Sequence, residues 1–482
     1  MKFNGNILVI GCGFVSRCAL PLLLKHINMP ANKITVIDFA DNSSYIEECI
    51  KQGVKFKKDR ITERNMASKL SRHVGRGDMI IDLAWNIGCA EILQWCHDHD
   101  VMYINTSVEL WNPYAGAQAN LPTVDRTLYV RHMAIRKMVE GWKTKGATAV
   151  IEHGANPGLV SHFTKVALGD MAAKLIKEKR KDKRVPLLKK AVRENDFPQI
   201  ARLMNVKVIH ISERDTQITD RPKEVNEFVN TWSVEGFREE GVAPAEMGWG
   251  IHEKKLPAGA HTHSSGPKNQ ICLSQMGIKT WVRSWVPCGE MTGMVIRHGE
   301  AFTISDYLTV WNEGKPVYRP TVHYAYRPAD VAISSLHELE ARQYDLQKKQ
   351  RVLTDEIISG GDELGVLLMG HDYKSWWVGS VLDIHKSREH VPHQNATTLQ
   401  VACAVIGAVS WMIRNPRKGV NVPDALPYDE VLAVALEYLG SFVSIPVDWT
   451  PLKTRKDQYA THDNVNPDKK DPWQFHSFLV QR

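Results

Sequence analysis

The chain lacks most of the features that would settle its chemistry quickly. Its 482 residues include only eight cysteines, at 12, 18, 49, 89, 96, 272, 288 and 403. They form no C-x-x-C pair and no zinc-type spacing, so free thiols in a reducing cytoplasm are expected instead of disulfides or a metal site. There is no Walker loop and no G-x-S-x-G elbow. His337-Glu-Leu-Glu-Ala341 lacks the second histidine of a zinc-protease helix. The His-x-His pairs at 97/99 and 261/263 have no third ligand at an obvious spacing, and no metal is expected. The charge excess is only +7, which demands no nucleic-acid partner. The densest basic run, 174–184, is interleaved with Glu178 and Asp182 and reads as a solvated helix. The longest strongly apolar run, 401–413, is too short for a membrane span. A strand opens the chain where a signal peptide would stand, so no leader is expected. No repeats or low-complexity segments occur. Asn395-Ala-Thr397 has the form of a glycosylation acceptor, a coincidence in a cytoplasmic chain.

What is present is a hydrophobic fraction of 43% and a charged fraction of 24%, ordinary for a globular protein of two or three domains. The organising stretch is 6–17. Ile7 to Ile10 is an unbroken apolar run, as in a strand buried on both faces of a parallel sheet. Gly11 and Gly13 follow, and then an amphipathic helix with Phe14 and Val15 in its first turn and Pro21 inside it. Strand, glycine turn and helix together form a dinucleotide cradle, with Gly11 allowing the tight turn and Gly13 the close approach of a pyrophosphate. Ser16 takes the third small-residue position. A second strand ends in Asp38 at the interval where an acid binds the ribose hydroxyls of NAD and repels the 2′-phosphate of NADP.

To about residue 110 strands and helices alternate, including helices over 43–52, 63–74 and 88–99. This rhythm predicts an α/β, Rossmann-type doubly wound parallel sheet. Ligands in such sheets lie beyond the carboxyl ends of the strands. Candidate cofactor residues are therefore Gly11, Gly13, Phe14, Val15, Asp38, Ala84, Trp85, Asn86, Asn105 and Thr106. Residues 111–125 read as a loop over the site. Residues 154–158, two glycines flanking a proline, form a sharp turn and a candidate active-site loop. From about 160 to 390 strands dominate, with alternating runs at 206–212, 278–286, 293–297 and 321–326 and a hairpin at 364–382. The expectation is an α+β substrate domain with a mainly antiparallel sheet. The partition reads 1–158 for nucleotide, 159–395 for substrate, and 396–482 for a C-terminal helical segment packing back between them.

Acids and aromatics carry the remaining signal. Glu213 follows the strand at 209–212, Trp232 lies in Asn230-Thr-Trp-Ser-Val, and Glu239-Glu240 come next. Carboxylates and indole faces hold organic cations through ion pairs and cation–π attraction. Taken alone, a tryptophan such as Trp232 is a packed core residue.

Four motifs give a more specific reading. Ile7-Leu-Val-Ile-Gly-Cys-Gly13, His153-Gly-Ala-Asn-Pro-Gly-Leu-Val-Ser-His-Phe163, Asn230-Thr-Trp-Ser-Val-Glu-Gly-Phe237 and Arg297-His-Gly-Glu300 together resemble the bacterial homospermidine synthases, a family similar in fold to saccharopine dehydrogenase. The resemblance runs over most of the chain. It implies a transferase in which tightly held NAD takes hydride from putrescine and later returns it. A second amine attacks the resulting imine in between, and ammonia leaves. It also implies diamine and polyamine substrates, no nucleic-acid or membrane partner, and a homodimer. Carried over by motif, Trp232 holds the charged amine or iminium, Glu213 and Glu240 bind ammonium groups, and Asn156 positions the reacting amine. His298 serves in the site and Glu109 lies near the inner end of the amine channel. Without the resemblance, His298 would read as an ordinary surface hydrogen-bonding residue. The sequence leaves open which of Glu239 and Glu240 faces inward. A net NAD(P)-dependent dehydrogenase of saccharopine or carboxynorspermidine type is the alternative; Arg283, Arg297 and Arg319 are its candidate carboxylate binders. Two further readings are a catalytically silent NAD-binding protein and a polyamine-binding protein.

Overall fold

A computed structural model describes residues 1–113, 121–455 and 468–480. The expected loop at 111–125 and the polar tail therefore lie partly outside the described residues.

The first sheet is parallel throughout. Its strands are β1 (Ile7–Ile10), β2 (Ile34–Asp38), β3 (Lys55–Lys58), β4 (Met79–Asp82), β5 (Met102–Asn105) and β6 (Ala149–Val150). Their order is β6-β5-β4-β1-β2-β3, with Val420–Asn421 added beyond β6. Every residue of β1, β4 and β5 is buried, which is why they read as unbroken apolar runs. The order reverses at β1, so the crevice for a ligand opens at the end of β1. There α1 (Phe14–His26) begins, with Pro21 accommodated inside it. The helix expected over 63–74 is short, Met66–Leu70, since 63–74 supplies few apolar positions to bury.

The second sheet has eleven strands. At its centre lie β7 (Val208–Asp215), β8 (Thr321–Arg327), β9 (Gly361–His371) and β10 (Lys374–Asp383). β7 pairs with β9 antiparallel and with β8 parallel. The other pairings in the sheet, among the described residues, are antiparallel. Register partners share a face, so Glu213 and Asp215 of β7 stand beside Tyr326 of β8 and Leu364 and Asp362 of β9. This face carries Ile209, Ile211, Tyr324, Val366 and Leu368 into the same core as β1. It is turned toward the first sheet, and β7 runs on through Glu213 to Asp215 instead of ending before it.

Two long helices pack on the second sheet: α2 (Leu159–Glu178) on β9 and β10, and, later in the chain, the helix Ala396–Arg414, which bridges the two sheets through α1, β5 and β9. The latter has 19 residues and is apolar enough by composition to cross a membrane. It is longer than the run 401–413 because Ala396, Thr397 and Thr398 extend its N-terminus. Its 18-residue apolar window is 89% buried inside the protein, as expected of a helix hydrophobic nearly all round. Asn395, buried, caps it by accepting from the Thr398 N–H at 2.8 Å, a cap worth about 1 kcal/mol. The expectation of a helical C-terminal segment needs correction. Beyond this helix the chain gives Val420–Asn421 to the first sheet, and Ser441–Val447 and Leu479–Val480 to the second. These edges are covered by later strands because a bare edge invites pairing with other chains.

Candidate functional site

The glycine turn has the shape a dinucleotide needs. Gly11 has φ +90°, and a Cβ there would come within 3.0 Å of the Leu83 carbonyl. Around the Cβ direction of Gly13 nothing lies within 4 Å, and no side chain caps the start of α1. Uncapped N–H groups facing open space are what a pyrophosphate occupies. Ser16 is buried and donates to the Gly11 carbonyl at 2.7 Å, locking turn to helix, with Phe14 and Val15 half-buried beside it. Asp38 ends β2; its carboxylate accepts from the Cys12 N–H at 2.6 Å and the Ala40 N–H at 2.8 Å. Those bonds aim it at the turn. Past β4, Ala84 donates to Asp82, Trp85 is exposed, and Asn86 adopts φ +56° with its buried Oδ1 lacking a hydrogen-bond partner. The residues of this end fit NAD. Asn105 does not face the crevice. Its side chain is used inside the protein, donating to Cys89 Sγ, Tyr103 and the Ser107 carbonyl, and accepting from Glu152 N–H. An asparagine at a strand end cannot be told from a ligand-facing one by position alone.

Next to this crevice a small, partly open cavity lies at the carboxyl ends of β5 and β6. Thr106 and Glu109 enter from the loop after β5, Asn156 from the 154–158 turn, Glu239 and Glu240 from α3 (Val234–Val242), and His298 from the loop 295–299. The turn is tight. The Gly154 N–H donates to the Pro157 carbonyl at 2.6 Å, and Leu159 N–H returns to the Gly154 carbonyl at 3.0 Å, starting α2. Gly158 sits at φ +131°.

Glu239 and Glu240 divide the work. Glu239 is buried between Arg297 (2.5 Å) and Arg131 (2.9 Å). Burial pushes its pKa up, but the two guanidiniums outweigh this and hold it below the ordinary carboxylate value. Glu240 is half-buried and meets His298 Nε2 at 3.0 Å, while Glu300 meets Nδ1 at 3.2 Å. Burial opposes a charge on His298, yet the two carboxylates prevail and raise its pKa well above the usual imidazole value. His298 is therefore a buried, charged group between two acids, not a surface residue. Glu109 is pushed up to about 8 by burial and by repulsion from Glu239. Its Oε1 accepts from Ser107 at 2.9 Å and its Oε2 is buried without a partner.

Glu213 lies deeper. Asn156 Nδ2 donates to it at 2.9 Å, and the Tyr324 hydroxyl donates to the same oxygen. Burial raises its pKa to about 7 against these bonds. Tyr324 stacks on Tyr326, whose hydroxyl accepts from Trp232 Nε1 at 2.9 Å. Trp232 stands half-buried behind Gly236, itself a cavity residue; a Cβ at Gly236 would lie 3.3 Å from the indole. Hydrogen bonds at either end and a ring stack in the middle thus join Trp232, Tyr326, Tyr324, Glu213 and Asn156.

Three members of the site carried no signal in the sequence: Glu152, Tyr324 and Tyr326. Glu152, at φ +56°, pairs with buried His132 at 2.7 Å. The tyrosines looked like ordinary alternation in a strand. Of the arginines proposed for the dehydrogenase alternative, Arg283 pairs with Glu290 and Arg319 with Thr309, while Arg297 lines the cavity but is paired there with Glu239.

Residues 7–150 match the NADP-binding domain of saccharopine dehydrogenase, and residues 154–444 its C-terminal domain. Over the whole chain and 97% of the relative, the sequence is 38% identical to homospermidine synthase of Mesorhizobium japonicum. It is 38% identical to that of Blastochloris viridis, over 98% of the relative. The crystal structure of homospermidine synthase from Legionella pneumophila in complex with NAD superposes with a TM-score of 0.88 and 34% identity, covering 100% of this chain and 99% of that one.

Proposed function

The chain belongs to the homospermidine synthase family, and on that premise we propose that it joins two putrescines, or spermidine and putrescine, into homospermidine with release of ammonia or a diamine. The observation that carries this reading is the charge of the cavity. Its two arginines, Arg131 and Arg297, are both held by Glu239, while Glu109, Glu240 and Glu213 have no arginine or lysine partner among the described residues. Such a site attracts ammonium groups and offers no free cation to a substrate carboxylate.

NAD, when bound, supplies the acceptor that takes a hydride from an amine carbon and gives it back to the new imine. The chain's own groups do the rest. The oxidised nitrogen must be neutral, so a group near it takes a proton; Glu213 and Asn156 hold the reacting amine there. Glu240, set by His298 and Glu300, pairs with the far ammonium and fixes substrate length. An ammonium beside Glu109 would draw its raised pKa back down, and the carboxylate would then pair with it. Trp232 presents its π face to the cationic amine or iminium, and with Tyr324 and Tyr326 excludes the water that would hydrolyse an imine to an aldehyde. The partition at 158 and 395, the homodimer and the cytoplasmic setting belong to the same proposal; the eight free cysteines, seven of them buried, suit a reducing compartment.

Incubating the protein with putrescine and NAD, following absorbance at the NADH band and separating the amines, tests the reaction. Homospermidine and ammonia in equal amounts without net NADH are expected. Steady NADH accumulation would point to an ordinary dehydrogenase.

The pH profile tests Glu213. Below about 7 its carboxyl is protonated and cannot pair with an ammonium; above that it is ionised. The profile of kcat/KM for putrescine should therefore rise through this range. Glu213→Gln should lower the profile and remove that limb; an unchanged limb would assign it to another group.

A further inference from the structure

Trp232 is held both through its ring, which packs against Phe237 and the core, and through its neighbour in the chain. Its single indole N–H donates to the Tyr326 hydroxyl at 2.9 Å. Thr231, fully buried, is tied through its hydroxyl and its carbonyl. Its hydroxyl donates to Asp215 Oδ2 at 2.6 Å, and its carbonyl accepts from Asn395 Nδ2 at 2.7 Å. Asp215 is fixed in turn: its Oδ1 accepts from the N–H of Gln217 at 2.9 Å and from that residue's amide at 3.1 Å. Asn395 also donates to the Leu353 carbonyl at 2.9 Å while capping Ala396–Arg414, the helix that lies against α1.

Asp215 and Glu213 are two residues apart on β7 and share a face. One carboxylate enters the amine site; the other stands behind the tryptophan. Burial lifts the Asp215 pKa to about 6, and the bonds it makes with Gln217 and Thr231 are all ones it accepts, so its carboxyl oxygen is the fixed acceptor that orients the Thr231 hydroxyl. The peptide joining Thr231 to Trp232 thus has its carbonyl side clamped to a rigid helix and its residue clamped to a central strand. A π face helps a cation only over a narrow range of distance and angle, so an indole in this role has to be set from outside the ring.

We infer that Thr231, gripped by Asp215 and Asn395, is a positioning residue that sets the indole of Trp232 for the amine. This rests on the reading of Trp232 as an amine-holding group, and the test separates the two. Thr231→Val keeps shape and removes the donor; Thr231→Ser keeps the donor. Each is made in the wild-type chain and, for valine, also with Trp232→Ala. Purified variants are assayed for kcat and KM with putrescine, for NAD affinity and for thermal midpoint. T231V should lower kcat/KM roughly tenfold with NAD affinity unchanged. T231S should restore most of it. T231V should add nothing in the W232A background, because a residue acting through Trp232 has nothing to act through once the indole is gone.

Equal activity of T231V and wild type overturns the inference, as does a T231V loss of the same size in the W232A background, which marks general loosening. If W232A itself keeps full kcat/KM, the amine-holding role of Trp232 fails and the inference falls with it. Should T231V not fold, Asn395→Asp serves in its place: aspartate caps a helix as well as asparagine but loses both amide donors. The same non-additivity with W232A is then expected, and additivity overturns the inference.

Discussion

Replacing Trp232 with alanine is expected to cut kcat/KM for putrescine by at least about 30-fold while leaving NAD affinity unchanged. A desolvated cation–π contact is worth about 2 kcal/mol, and that energy corresponds to roughly 30-fold. The effect should exceed this in one respect. The indole stands behind Gly236 and is bonded to Tyr326, so its removal opens a path for water beside the site. An imine exposed to water gives aldehyde. The variant should therefore make 4-aminobutanal and accumulate NADH, turning a redox-neutral transfer into a leaking oxidation. Amine and aldehyde analysis of the same incubation reads both. Full turnover without aldehyde would remove Trp232 from the site.

Gly158→Ala should be the most damaging glycine-to-alanine change among the described residues. A Cβ at Gly158 would stand 1.8 Å from the Gly154 carbonyl oxygen, which is backbone, at a φ of +131° that side chains rarely adopt. Neither atom can move without breaking the Gly154–Pro157 and Leu159–Gly154 hydrogen bonds that make the turn. Strain of this kind, with the loss of two buried bonds, should cost at least about 3 kcal/mol. The loop carries Asn156 and launches α2, so activity and stability should fall together. The expected result is a thermal midpoint several degrees lower and little or no homospermidine. A variant with wild-type melting and activity would show that the turn has a second conformation.

The nucleotide half was legible because its signals are local. An apolar run, two glycines and an acid at the next strand end lie within 38 residues, and the backbone at Gly11 has the positive φ that the turn demands. The residues proposed to hold the amine were legible only through motifs. Nothing in local pattern shows that Glu213 and Tyr324, 111 residues apart, meet across a pair of parallel strands. Glu152 and His132 are likewise partners only in three dimensions. Adjacent Glu239 and Glu240 look alike in sequence; on a helix, neighbours point about 100° apart. That rotation sends one to two arginines and the other to His298. Val420–Asn421 and Leu479–Val480 were missed because two residues show no period, and Ser441–Val447 because Pro446 and its partly exposed edge position break the apolar alternation.

The way the last third of the chain is laced through both sheets has a consequence for how such an enzyme can change. Residues after 396 first fill the seam between the halves, then close the edge of the nucleotide sheet, then return to the edge of the substrate sheet. A recombination event with a crossover near residue 158 would give a hybrid whose nucleotide sheet is finished by a strand evolved against a different partner. A successful graft of a new amine specificity has to carry 396–447 from the same parent as the sheet edges it covers, or alter the pocket by point substitution. In this architecture the two halves are inherited together.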